Sequence, residues 1–150
     1  MTTDLLLAIL HHLLVFAVFA IFAIQMATAR PGLDAAGVRR LAAIDGAYGG
    51  LSLAVIAVGF CRVVFGMKGW EYYSTYWVFW AKVAAFLLVG ALSIQPTLRF
   101  QRWKKAAAGN ESYVVPAAEI AFVRSWLHRE GFVFVLIPIL AAMMARGVGY

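Results

Sequence analysis

The sequence predicts an all-α integral membrane protein, a four-helix bundle with both termini on the periplasmic side. Three observations predict it. Of 150 residues, 64% are hydrophobic and 13% charged, too little polar surface to coat a water-soluble globule of this size. Four apolar runs have the length that crosses about 30 Å of hydrocarbon as a helix. The basic residues are spread unevenly over the connections between those runs. The helices are expected at about residues 4–26, 41–65, 76–98 and 117–145, in a single domain spanning 1–150.

The first run, DLLLAILHHLLVFAVFAIFAIQM, carries the pair His11 and His12 near its start. An ionisable side chain inside a membrane span is a functional-site hypothesis by default. Asp4, His11, Val18 and Gln25 recur every seven residues and so share one helix face, while His12 points about 100° away. His11 is therefore the better candidate for the bundle interior. Ala27-Thr28-Ala29 has the small-residue form of a signal-peptidase site. The apolar run before it is too long for a signal peptide and starts with Asp4 where a basic residue belongs, so the segment is read as a retained first helix. Pro31-Gly32 marks the turn that ends it.

The second run bears Asp45, Ser52, Gly59 and Arg62 along one stripe and a small-residue row, Gly46, Gly50 and Ala54, that lets another backbone approach closely. The connection after it leads into Trp70, Tyr72, Tyr73, Tyr76, Trp77 and Trp80, read as interfacial aromatic anchors. The third run holds Lys82 and reaches Gln95-Pro96-Thr97, where proline kinks or ends a helix, before the basic cluster from Arg99 to Lys105. Residues 106–115 form the most polar connection, with a Gly109-Asn110 turn signal. The fourth helix begins near Pro116, a residue suited to a first helical position. At 1.5 Å per residue its about thirty residues outrun the bilayer. His128, with Asp45, Glu130 and Arg40, is expected in an ordinary ion-pair network.

Arg30, Arg39, Arg40, Arg99, Arg102, Lys104, Lys105, Arg124 and Arg129 fall at one end of the bundle, and Arg62, Lys68 and Arg146 at the other. By the positive-inside rule the first end is cytoplasmic, in the inner membrane of a bacterium. Basic residues here serve topology and anionic lipid, so the net charge of +6 does not indicate nucleic acid. The single Cys61 forms no internal disulfide, and no Cys/His zinc spacing exists.

Counted in residues from the outer end, His11 lies about 10 Å deep, Lys82 about 9 Å, and Arg62 about one turn. Met143 and Met144 close the fourth helix at the same end. One reading is a haem b or related tetrapyrrole pocket: a histidine is the axial ligand, and Arg62 and Lys82, with Trp80, bind the rest of the group. A second is copper, for which His11, Met143 and Met144 are soft ligands. A third is a non-catalytic accessory subunit, or a homo-oligomer, that docks other membrane subunits through its small-residue row and basic extension. The plainer account is that His11 hydrogen-bonds a neighbouring helix, Arg62 and Lys82 snorkel, and the methionines fill space. Because adjacent residues diverge by about 100°, His11 and His12 cannot be opposite ligands of one haem.

The features His11-His12, Asp45-Gly46-x-Tyr48-Gly49, Gly59-x-x-Arg62, Phe79-Trp80-x-Lys82, Ser93-Ile94-x-Pro96-Thr97 and Trp103 together resemble a bacterial family of four-helix predicted membrane proteins of unknown function (domain of unknown function 2214). That resemblance implies four helices and no particular activity. A fainter one runs to HemJ-type protoporphyrinogen oxidases and CopD-type copper-resistance membrane domains, through the early histidine and, in the former, Trp80-Ala81-Lys82. Because the HemJ-type family associates those positions with haem b, the resemblance implies His11 or His12, together with Lys82, as haem-binding positions.

Overall fold

The computed structural model describes residues 2–149. The helices are α1 (Thr2–Thr28), α2 (Ala35–Phe65), the short α3 (Gly69–Ser74), α4 (Trp77–Ala106) and α5 (Ala117–Ala145). Four of them, α1, α2, α4 and α5, are long and apolar enough to cross a membrane. Many large apolar side chains point out of the bundle, among them Leu6, Phe16, Leu53, Leu87 and Phe132, as the lipid-facing surface of a membrane bundle requires.

Hydropathy locates the apolar stretch, and local chemistry locates the helix ends. α2 starts at Ala35, well before the apolar run expected from residue 41, because Asp34 caps it by accepting the Gly37 amide at 2.8 Å. α4 does not end near residue 98 but continues through Pro96 to Ala106. Proline removes one backbone hydrogen bond. The helix persists beyond it because Phe100 and Trp103, at helical spacing, are buried at 0% and 2% exposure while Arg102, Lys104 and Lys105 face outwards. α5 starts directly after Pro116.

The helices pack in the order α1, α2, α4, α5. Stacking of Phe19 on Phe134, with ring centroids 4.1 Å apart, closes the ring between α1 and α5. Phe134 also meets Phe22 and Tyr48 edge-on, and Gly131 makes room for this: a Cβ there would lie 3.2 Å from the Phe22 ring.

At the basic end the connections are tied together. The Val115 amide donates to the Leu33 carbonyl at 2.9 Å, and Arg124 donates to the Ala29 carbonyl at 2.8 Å. Glu119 accepts from both Arg99 (2.6 Å) and Trp103 (2.9 Å). At the opposite end the Met67 amide approaches Asp4 at 3.4 Å. Tyr76 donates to the Val148 carbonyl at 2.7 Å, so the first turn of α1 and the turn after α5 both meet the α2–α4 connection. Tyr76 therefore departs from the expected role of interfacial anchor. At 1% exposure it pins the carboxyl-terminal turn to the start of α4.

Candidate functional site

The end opposite the basic cluster contains a cavity of about 430 Å³ bounded by α1, α2, α3, α4 and the end of α5, within the size range of small-molecule sites. Its lining includes His11, Arg62, Trp80, Lys82 and Met144, five residues drawn from four helices. Each is placed there by a local feature. His11 sits against Gly59, where a Cβ would lie 3.2 Å from the imidazole Cε1; only glycine lets the ring pass between α1 and α2 without displacement. Arg62 follows Gly59 by three residues and so shares its face of α2. Trp80 donates its indole N–H to the Ser74 carbonyl at 2.9 Å and meets Trp70 edge-on, which fastens α3 across the cavity's end. Lys82 is half-buried two residues further along α4, its ammonium 5.8 Å from the Phe79 ring centroid.

The electrostatics of this cavity are one-sided. None of its sixteen lining residues is acidic, while two, Arg62 and Lys82, are basic. The Arg62 Nε and the His11 Nδ1 are buried with no hydrogen-bond partner in the protein. Among the described residues, both ion pairs lie at the basic end, Arg39 with Glu111 and Arg99 with Glu119. The remaining wall is apolar and aromatic: Phe60, Tyr73, Phe79, Val83, Phe86 and Leu87. The exposed residues Phe60, Ile56, Leu87 and Trp80 form its rim, so the mouth opens between α2 and α4 towards lipid.

His12 and Met143 are not brought to this cavity. His12 is exposed on the outside of α1, its Nδ1 2.6 Å from the Ala8 carbonyl oxygen, because a step of one residue turns it away from α2. Met143 packs beside Tyr76 and Phe79, and its carbonyl accepts from Tyr76, leaving Met144 as the cavity's methionine. Among the described residues no three His, Cys, Asp or Glu side chains gather in a metal-holding group. The expected network of His128 with Asp45, Glu130 and Arg40 does not form. His128 and Arg40 are exposed, and His128 Nδ1 lies 2.6 Å from the Arg124 carbonyl oxygen. Asp45 and Glu130 are buried among Gln25, Tyr48 and Thr97 instead.

Sequence reasoning did not single out Tyr73, Val83 and Phe86 as cavity walls. Val83 and Phe86 follow Lys82 by one and four residues, and helical spacing from that lysine was the signal that pointed to Phe86. Tyr73 carried no such signal, because its place depends on how α3 folds back over the bundle.

No curated protein and no solved structure is significantly similar to the chain. The profile of the predicted membrane protein family DUF2214 matches residues 3–149, which takes in all of α1 but its first residue, the whole of α2, α4 and α5, and every residue of the cavity: the chain belongs to the DUF2214 family of predicted membrane proteins.

Proposed function

We propose that this membrane protein binds an amphipathic anion in the cavity between α2 and α4, and that the anion is haem b or a related tetrapyrrole dicarboxylate. The observation that carries the reading is the pairing of Arg62 and Lys82 on one apolar cavity that has no carboxylate in its lining. Two cations held in a membrane without partners are costly, and a ligand that brings two carboxylates on an apolar body removes that cost. Arg62 is suited to a bidentate grip on one carboxylate and Lys82 to a point-charge contact with the other. The aromatic wall of Phe60, Tyr73 and Phe79 takes the flat apolar body. His11, whose imidazole lines the cavity, would hold the iron. A haem held here supplies one-electron chemistry, tuned by that histidine and by burial. Copper is the weaker reading, because Arg62 and Lys82 repel a metal cation in a cavity whose soft ligands are His11 and Met144.

On this reading the cavity lies in the outer leaflet of a bacterial inner membrane, since the basic end is the cytoplasmic one. A reporter fused at the carboxyl end is expected to behave as exported, and one placed after Lys105 as cytoplasmic; the reverse pattern inverts the leaflet.

The test is an absorption spectrum of the detergent-purified protein, with haem titrated onto the ligand-free form. A Soret band is expected, lost in His11→Ala and retained in His12→Ala. Lys82→Met is expected to weaken binding roughly tenfold or more, the scale of one charge-assisted contact, and Lys82→Arg to keep most of it. Binding of unchanged affinity and spectrum in Lys82→Met would sink the assignment.

A further inference from the structure

The basic half of the bundle holds a second polar centre, separate from the cationic cavity. Asp45 on α2 is 5% exposed, Gln25 on α1 1%, and Glu130 on α5 0%. Asp45 Oδ1 accepts two hydrogen bonds, from Gln25 Nε2 and from Thr97 Oγ1, each at 3.0 Å. Glu130 Oε1 accepts one, from the Tyr48 hydroxyl at 2.7 Å. That leaves two acceptor oxygens sealed from solvent with no donor, Gln25 Oε1 and Glu130 Oε2. Buried acceptors of this kind are rare in folded proteins and mark a missing donor.

The missing donor is not a basic side chain. Facing this centre are Gln25 from α1, Asp45 and Tyr48 from α2, Thr97 from α4 and Glu130 from α5. The cations nearest in sequence are engaged elsewhere or point outwards: Arg124 binds the Ala29 carbonyl, Arg129 lies against Trp126, and Arg40 and His128 are exposed. Two ionised carboxylates buried in one bundle without a cation would meet a large desolvation penalty and repel each other. A group held there with no counter-ion takes up a proton instead.

We propose that Asp45 and Glu130 form a proton-binding carboxyl pair that carries a single negative charge, with the proton seated on Glu130. The asymmetry of the hydrogen bonds makes the assignment. Two donors converge on one oxygen of Asp45, which suits the anion, whereas Glu130 has one phenolic donor and a second oxygen with none. Protonation at Oε2 converts one of the two orphan acceptors into a donor. A cleft reaches the partners of this pair. Of about 290 Å³, it lies between α2 and α4 and is lined by Asp45, Tyr48, Ser52, Ser93, Thr97 and Gln101, among others. It brings hydroxyl and amide groups up to Asp45 and to the phenol that holds Glu130.

Infrared spectroscopy of the full-length protein in lipid nanodiscs tests this. The chain has seven Asp and Glu residues in all. Asp34 caps α2, Glu111 and Glu119 pair with arginines, Glu71 is exposed and Asp4 accepts an amide, so Asp45 and Glu130 are the two carboxyls sealed inside the bundle. A carbonyl stretch from a protonated carboxyl is therefore expected in the wild type at neutral pH and is assigned to this pair. It should shift in heavy water and disappear in Glu130→Gln, which retains an acceptor for Tyr48. Absence of the band in the wild type overturns the proposal without any variant being needed. Persistence of the whole band in Glu130→Gln overturns the seating on Glu130. Thermal unfolding in sodium chloride against choline chloride at equal ionic strength supplies the remaining outcome: sodium-specific stabilisation of the wild type, absent in Glu130→Gln, would assign the site to a metal cation and overturn the proton.

Discussion

The two halves of this bundle treat buried polarity in opposite ways. Around the basic end, polar side chains find one another: Glu119 joins Arg99 to Trp103, Arg124 reaches a backbone carbonyl, and Asp45 collects Gln25 and Thr97. At the far end Arg62, Lys82 and His11 surround a cavity and find no acid in its lining. Both halves come from the same four helices and lie in similarly apolar surroundings, so the contrast is not a matter of general polarity. In the basic half the buried groups left without a partner are acceptors, Gln25 Oε1 and Glu130 Oε2, beside a network that otherwise ties the helices together, whereas in the far half they are Arg62 Nε and His11 Nδ1, with no acid near them in the cavity. The basic half ties the helices together, and the far half leaves basic side chains around a cavity.

Substitutions distinguish the two halves by the sign as well as the size of their effect. The largest loss is expected from Phe134→Ala, which removes the ring that Phe19, Phe22 and Tyr48 share. It should lower stability by about 3 kcal/mol, read as an earlier midpoint in detergent-to-denaturant titration. Phe60→Ala, on the exposed rim of the cavity, is the control expected to change little. Next comes Glu119→Ala, which strands a partly buried Arg99 and the Trp103 indole N–H; about 2 kcal/mol is expected for losing a charge-assisted partner of both. In the far half the sign reverses. Lys82→Met should stabilise the ligand-free protein by about 1 kcal/mol, because a half-buried unpaired ammonium is replaced by an apolar chain of similar length. A destabilised Lys82→Met would mean that this lysine is structurally paired, and the contrast between the halves would fail. Smallest is Arg39→Ala. The Arg39–Glu111 pair is bidentate, at 3.1 and 3.2 Å, but its side chains are 47% and 78% exposed, so about 0.5 kcal/mol or less is expected, and less still in high salt.

Four membrane-length helices and their class follow from composition and run length, since a bilayer demands long apolar segments whose backbone groups bond internally. The meeting of His11, Arg62 and Lys82 at one level was also legible, because rise per residue converts position in a helix into depth. The facing of His11 over His12 followed from the seven-residue stripe shared with Asp4 and Gln25. Three things lay outside hydropathy and spacing. Asp34 and the burial of Phe100 and Trp103 set helix ends that hydropathy does not see. Met144 rather than Met143 reached the cavity because Tyr76 holds the last turn of α5 in one rotation. Asp45 and Glu130, eighty-five positions apart in the chain, became neighbours of one polar centre and not of His128 or Arg40. Periodicity within a helix states which residues share a face; which face meets which is decided by close contacts between helices, such as the seats at Gly59 and Gly131, and those exist only once the bundle has formed.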